Sequence, residues 1–255
     1  MKKILLISGH GAGDSGAVAK IDGKTYKEAT ETRIMTKLIK KKLKDYECSV
    51  DIYPTSHNAF EDAKAGKLQR NFRDYDYVLE VHFNACVNDL KGNGKTTGTE
   101  AYITTNDSSK QTEICILSKM STIGLKNRGV KSHDWTVIKK SKTIGTDSCL
   151  LEVCFIDDAD DMKVYVNHKE DIALLIAHGL INGLSIKPKK QLITVGDRVK
   201  IKEGAKDINT GKKYSDFVYN TVYTVIRVDK DAIVFGLSGK VSGKTKPSNV
   251  KLIDN

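Results

Sequence analysis

Three short stretches place side chains that can hold a metal or move a proton at the ends of apolar strands. The first is Ile7-Ser8-Gly9-His10-Gly11-Ala12-Gly13-Asp14-Ser15-Gly16-Ala17, an apolar run entering a glycine-rich loop with one histidine at the junction. Glycine lets the backbone turn sharply there and keeps bulk away from whatever His10 faces. The second is Val78-Leu79-Glu80-Val81-His82-Phe83-Asn84-Ala85. Strand alternation puts Glu80 and His82 on one face and Leu79, Val81 and Phe83 on the other. The third is Leu150-Leu151-Glu152-Val153-Cys154-Phe155-Ile156-Asp157, where Glu152 interrupts an apolar strand. An unpaired charge in that setting costs several kcal/mol, so the position asks for a partner or a chemical role. Each stretch alone is a weak signal, because a lone strand histidine is more often a hydrogen-bonded core residue than a ligand. Together they are stronger, since ligands converging at the C-terminal edge of an α/β sheet form a common site geometry. Two His and one carboxylate leave one position open for water, the usual arrangement of catalytic zinc.

The elements that must position these residues alternate in type over residues 1–185, which implies an α/β sheet with crossover helices. Strands are expected at Ile4–Ser8, Ser49–Tyr53, Tyr77–Phe83, Glu100–Thr104 and Cys149–Phe155. Helices are expected near Glu28–Tyr46, Thr112–Ile123 and Asp171–Leu184, the last with Ile172, Leu175, Ile176, Gly179, Leu180 and Gly183 at three-and-four spacing. A basic, proline-containing connector follows at 186–192. Beyond it, over 193–255, the pattern is β-like: Ile193–Val195, Arg198–Ile201, Thr221–Val228, Ala232–Gly236 and Val250–Ile253, separated by Gly- and Asp-bearing turns. Five short strands of this kind make a small barrel or sandwich. No internal repeat is visible, and the lysines between Lys37 and Lys44 read as a solvated helix face.

The 255 residues are 39% hydrophobic and 29% charged with three prolines, which argues against a disordered or collagen-like chain. No apolar run approaches the roughly 18 residues needed to cross a bilayer. The opening Met-Lys-Lys-Ile-Leu-Leu-Ile resembles a signal peptide, but its apolar run is short and no small-residue cleavage site follows, so it is expected to be a buried first strand with no export signal. Five scattered cysteines with no CxxC pair fit reduced thiols and a packing role. The net charge is +10, of which residues 188–255 carry +7 and residues 1–187 only +3.

The motifs Gly9-His10-Gly11-Ala12-Gly13-Asp14-Ser15-Gly16-Ala17, Tyr26-Lys27-Glu28-Ala29, Glu80-Val81-His82-Phe83-Asn84-Ala85 and Leu151-Glu152-Val153-Cys154-Phe155, in this order, resemble the zinc-dependent N-acetylmuramoyl-L-alanine amidase family of the amidase-3 type, particularly clostridial phage endolysins. The likeness spans residues 1–184. It implies zinc held by His10, Glu28 and His82, with Glu152 as catalytic acid/base. Glu31 lies three residues after Glu28 and could face the same way, although the Lys-Glu-Ala context and register against Met35 and Leu38 favour Glu28. Ser15, where proline is frequent, and Thr30-Glu31, in place of a more usual Asp-Leu, depart from the family pattern without removing a ligand. Glu80 and Asn84 are candidates for orienting a ligand histidine or meeting substrate, with a plain salt bridge the rival role for Glu80. The implied fold is α/β, a twisted mixed sheet flanked by helices, plus a small all-β SH3-like barrel.

Rival chemistry receives less support. Cys154 shares the alternation face of Glu152, but no Cys-protease signature surrounds it. Gly9-x-Gly11-x-Gly13 lacks both dinucleotide spacing and a P-loop lysine. Trp135 could line a groove, and His57, His133, His168 and His178 have no motif around them. The second region, through Val195-Gly196-Asp197-Arg198-Val199-Lys200, Thr221–Val225 and Val250–Ile253, resembles bacterial SH3-like barrels of cell-wall enzymes. That resemblance implies peptidoglycan or its anionic polymers as partner, where positive charge aids capture. Nucleic-acid binding is the rival for a basic, aromatic-bearing barrel, and neither it nor membrane insertion is expected. The whole reads as a peptidoglycan amidase that accumulates in the host cytoplasm until lysis. A zinc peptidase cutting the stem peptide and a non-catalytic wall- or nucleic-acid-binding protein are the alternatives.

Overall fold

The computed structural model describes residues 1–189 and 192–253; residues 190–191, within the expected connector, and 254–255 lie outside them. The chain divides into two units, Met1–Lys189 and Lys190–Asn255. In the first, β1 (Lys2–Ser8), β2 (Val18–Ile21), β3 (Lys24–Lys27), α1 (Glu28–Lys42), β4 (Cys48–Ile52), α2 (Ala59–Ala65) and β5 (Tyr77–Asn84) are followed by β6 (Thr99–Ile103), α3 (Gln111–Met120), β7 (Asn127–Ser132), α4 (Thr136–Thr143), β8 (Asp147–Phe155), α5 (Ala159–Asn167) and α6 (Lys169–Gly183). Six strands form one sheet in the order β4-β1-β5-β8-β6-β7. Only the β6–β8 pairing is antiparallel, so the sheet is mixed.

β1 is apolar on both faces because both are covered, as crossover helices require. Ile4, Leu6, Leu79, Val81, Leu151 and Val153 pack with side chains of α1, α3, α5 and α6 in the larger core. Leu5, Ile7 and Val78 pack with Ala59, Ala63 and Val137 of α2 and α4 in a smaller one. That second layer is thin. Toward the C-terminal end of β5 and β8 the face it covers turns polar, with Glu80, His82 and Glu152.

The five expected strands and three expected helices of this unit are present, with ends shifted by a few residues. The β2–β3 hairpin, β7, α2, α4 and α5 add to them. β7 reads Asn-Arg-Gly-Val-Lys-Ser and carries one apolar side chain, so no alternation announces it. Residues 186–189, assigned to the connector by composition, return along the first unit: Glu47 N–H donates to Lys187 O (2.7 Å), Lys189 N–H donates to Asp45 O (2.8 Å), and Ile186 is buried.

Residues 85–98 have no strand or helix of length, yet carboxylates around the start of α5 hold them. Asp157 accepts from the Cys86 and Asn88 amides, Asp160 from those of Asn93, Gly94 and Lys95, Asp158 from Thr97 and Asp161 from Gly98.

The second unit holds β9 (Arg198–Ile201), α7 (Asp216–Asn220), β10 (Val222–Asp229), β11 (Ala232–Leu237), β12 (Lys240–Thr245) and β13 (Val250–Leu252). They form an antiparallel sheet ordered β12-β11-β10-β9-β13 over a core of Val199, Ile201, Tyr223, Val225, Ile233, Phe235 and Val250. Ile193–Val195 is not a strand, and the polar Lys240–Thr245 takes the fifth place by pairing with β11. Among the described residues no helix is long and apolar enough to cross a membrane.

Candidate functional site

The loop after β1 is shaped around two histidines. Gly9 N–H donates to Val81 O (2.8 Å), which extends the β1–β5 ladder and presses the loop onto His82. A Cβ on Gly9 would lie 2.5 Å from His82 Cε1, and one on Gly16 would lie 2.5 Å from His10 Cδ2 and 2.8 Å from Glu28 Oε2. Glycine is therefore the only residue that fits at either position. His10 itself has a φ of 60°, the left-handed region in which a non-glycine residue is strained. The β2–β3 hairpin delivers the chain into α1, whose first residue is the buried Glu28. A carboxylate at a helix start is favoured by the exposed amides of the first turn.

Glu28 bridges the two rings. Its Oε1 lies 2.9 Å from His82 Nδ1 and accepts from the Phe83 amide (3.0 Å). Its Oε2 lies 3.0 Å from His10 Nε2 and accepts from the Ala17 amide (3.0 Å). Donor atoms of His10, Glu28 and His82 all lie within 4.8 Å of one another. On the outer side of His10, Nδ1 lies 2.8 Å from Asp14 Oδ2, and Asp14 Oδ1 accepts from the Gly16 amide. Burial lowers the pKa of both rings, but the carboxylates outweigh it: Glu28 and Asp14 raise His10, and Glu28 and Glu80 raise His82 well above its ordinary value. Burial likewise opposes the charged form of Glu28, and the two imidazoles overcome it and hold its carboxyl low.

Glu152 stands beside this cluster, since His82 pairs with Glu152 across β5 and β8. Burial, reinforced by the carboxylates of Glu28, Glu100 and Glu80 and opposed by His82, pushes its carboxyl up to about 7. Among the described residues three buried side-chain atoms lack a hydrogen-bond partner, and two of them, His82 Nε2 and Glu152 Oε2, are here. Glu80 Oε1 approaches His82 Nε2 at 3.3 Å without hydrogen-bond geometry. Asn84 turns toward Glu100 rather than a histidine, donating to its Oε1 (2.8 Å). Glu31 lies apart from the cluster, accepting from Tyr165 (2.8 Å) and Lys169 (2.6 Å). The expected company of Cys154 and Glu152 is corrected. β8 carries an extra residue between Glu152 and Phe155, and this bulge rotates Cys154 into the larger core, where burial pushes its thiol well up.

Sequence reasoning missed two groups. Asp14 was in view within the glycine loop, and the tendency of ligand histidines to donate their second N–H to a carboxylate could have singled it out. Glu100, on β6 opposite Glu152, is 1% exposed. It is held by Arg128 Nε (2.5 Å), Lys131 Nζ (2.5 Å), Tyr102 OH (2.8 Å) and Asn84. A cavity of about 260 Å³ opens next to the cluster, lined by His10, His82 and Glu80 together with Phe60, Trp135 and Val137. Trp135 is 44% exposed and borders it, in edge contact with Tyr102. In a second acidic group, Asp158 and Asp160 accept from backbone amides of the 85–98 segment and Asp89 from the Asn93 side chain.

Residues 4–182 match the family described as N-acetylmuramoyl-L-alanine amidase. The chain is 29% identical over 189 residues to an uncharacterized 38.4 kDa protein of Clostridium perfringens, covering 72% of this chain and 52% of that one; it thus spans about half of that relative's length. It is 28% identical over 200 residues to an endolysin of Bacillus phage SPP1, covering 74% and 68% respectively. Among solved structures, an N-acetylmuramoyl-L-alanine amidase from Clostridium difficile 630 superposes with a TM-score of 0.56 at 20% identity, over 72% of this chain and 95% of that one. The catalytic domain of the CD27L endolysin targeting Clostridia difficile does so with a TM-score of 0.56 at 23% identity, over 71% and 98%. At these identities the structural likeness speaks for the fold, while the match over residues 4–182 speaks for the family: this chain belongs to the N-acetylmuramoyl-L-alanine amidase family.

Proposed function

We propose that the protein hydrolyses the amide bond between N-acetylmuramic acid and L-alanine in peptidoglycan, with zinc held by His10, Glu28 and His82. The observation that carries this reading is an unpartnered, buried carboxylate oxygen on Glu152 beside a two-histidine, one-carboxylate cluster, whose His82 is its partner on the neighbouring strand. The residues fit the metal. Two imidazole nitrogens and a carboxylate oxygen are zinc's usual donors in a catalytic site. Asp14 on His10 is the outer partner such a ligand needs. Glycines 9 and 16 remove the atoms that would keep the donors apart.

When bound, zinc supplies Lewis-acid polarisation of the scissile carbonyl and lowers the pKa of water. The chain's own work falls to a few side chains. Asp14 fixes the His10 ring and its tautomer through Nδ1. Glu28, anchored by the Ala17 and Phe83 amides, cannot swing away from the two rings. Glu152 takes the proton of the attacking water and returns it to the departing L-alanine nitrogen. A carboxyl near 7 suits both halves of that transfer, and a nearby dication favours its ionised starting form.

The second unit is read as a small SH3-like barrel that anchors the enzyme to the wall. Its basic balance is the support, since residues 188–255 hold +7 of the chain's +10. An anionic wall polymer is the partner such a surface captures. The likeness to a phage endolysin supports accumulation in a host cell until lysis, followed by action on the wall.

Mass spectrometry of fragments released from purified walls tests the activity. Released peptides with new L-alanine N-termini, and glycan left uncut, are expected from the zinc-loaded protein, and neither peptide nor N-terminus after chelation. New N-termini inside the stem peptide would instead make it a zinc peptidase.

A further inference from the structure

We propose that Arg128 and Lys131 form a carboxylate-binding subsite for the stem peptide, seating the α-carboxylate that its second residue leaves free. The inference rests on the amidase reading and extends it to the substrate's peptide arm.

The direction of that arm follows from proton transfer. Glu152 must reach the leaving nitrogen, so the peptide attached to that nitrogen departs on the Glu152 side of the His10–Glu28–His82 cluster. Along that direction the strands come in the order β5, β8, β6, β7. His82 pairs with Glu152, Glu152 with Glu100, and beyond Glu100 lies β7 with Arg128 and Lys131. From Glu152 to β7 is two strand spacings, ~10 Å. Two extended peptide residues span ~7 Å, and an arginine side chain covers the remainder.

β7 is built to bring both cations to this place. Residues three apart on a regular strand point to opposite faces. Here Thr99 pairs with Asn127 and Ala101 with Val130, so β7 carries one extra residue, and Gly129 at its centre has a φ of 85°. The bulge re-phases the strand so that Arg128 and Lys131 both meet Glu100 Oε2. Neutralising Glu100 requires one positive charge, and the structure supplies two. Arg128 spends only Nε on Glu100; among the described residues its two terminal nitrogens have no hydrogen-bond partner, and the side chain is 30% exposed. Its guanidinium lies 5.0 Å from the centre of the Phe155 ring, which limits its freedom. The Lys131 side chain is 39% exposed and passes over Tyr102. The result is a fixed, net-positive pair with a free planar fork, the geometry that recognises a carboxylate. In wall stem peptides the second residue is a glutamate joined through its γ-carboxyl, so its α-carboxyl remains as a free acid or as an amide.

The test compares those two forms on the wild-type, zinc-loaded protein. A muramoyl tripeptide with the free α-carboxylate is expected to have a kcat/KM about 10- to 100-fold above its α-amide, the range of a charge-assisted hydrogen bond. Lys131→Met, which leaves the Arg128–Glu100 pair in place for folding, should shrink that ratio about tenfold. Calorimetry of the two released tripeptides gives the same comparison without turnover. Equal binding of acid and amide, or a variant that slows both substrates alike, overturns the subsite. Unequal peptide binding without any cleavage of the muramoyl–alanine bond overturns the amidase reading and leaves the subsite standing.

Discussion

Glu152 and Glu100 face each other across β8 and β6, two carboxylates of the same length in the same sheet, and their surroundings are opposite. Like charges directly opposed in a ladder repel, so each needs a reason to be there. Glu100 has one in the ion pairs and hydrogen bonds that surround it; burial disfavours its charge, but Lys131, Arg128 and Tyr102 more than offset this and hold its carboxyl below the ordinary value. Glu152 has an unpartnered oxygen and a carboxyl raised to about 7. The difference separates scaffolding from chemistry. A fully satisfied carboxylate fixes geometry and has no capacity left for a reacting proton. One kept poor in partners holds its proton loosely near neutrality and can pass it on.

The largest expected effect is on Glu152. Glu152→Gln should lower wall hydrolysis by about 10³-fold while leaving zinc content, read by elemental analysis, as in the wild type. Appreciable lysis by the metal-loaded variant would remove the distinction between the two residues. Glu100→Gln should act mainly on the fold, lowering unfolding free energy by about 2 kcal/mol in a denaturant titration, because Arg128 and Lys131 lose their counter-charge. Next in size is Asp14→Asn, which should weaken zinc about tenfold by loosening His10; competition with a chromogenic chelator reads this directly.

The smallest effect is the sharpest on sign. In metal-free protein the raised Glu152 carboxyl binds more protons folded than unfolded. Its stabilising share is full below the ordinary carboxylate value near 4.5 and is lost as pH rises through about 7. Replacing it with Gln should therefore help stability more at pH 8 than at pH 5. Glu100, with its carboxyl lowered, contributes above the ordinary carboxylate range and loses that share as pH falls through its depressed value. Thermal melts of the two Gln variants should thus diverge from wild type with opposite pH trends.

Much of this arrangement is legible in the sequence where one residue type has few alternatives. His10 among glycines, His82 on an alternating strand and Glu152 in an apolar run each violate the local pattern, and the structure gathers all three. Segments that obey no pattern are the ones missed. β12 is Lys-Val-Ser-Gly-Lys-Thr, and α2 has seven residues, too few for a helical period to emerge. Both owe their conformation to neighbours supplied by tertiary pairing. The bulges in β7 and β8 are invisible for a related reason. A single inserted residue breaks the two-residue alternation on which face assignments rest, and so Cys154 and the Arg128–Lys131 pair lie where alternation would not put them. Glu100 was unreadable because its cations are 28 and 31 residues away in sequence.

The carboxylates at the head of α5 bear on durability. Release at lysis, as proposed above, would bring the enzyme among proteases, and an irregular stretch such as 85–98, carrying Lys91 and Lys95, is the kind of segment trypsin seeks. A protease needs several residues of backbone free to extend into its cleft. Here the Asn93, Gly94 and Lys95 amides are bound to Asp160 and those of Cys86 and Asn88 to Asp157, which ties the backbone down on both sides of Lys91. These ties are expected to slow tryptic cleavage at Lys91 and Lys95 in the folded protein, and Asp160→Ala should speed it.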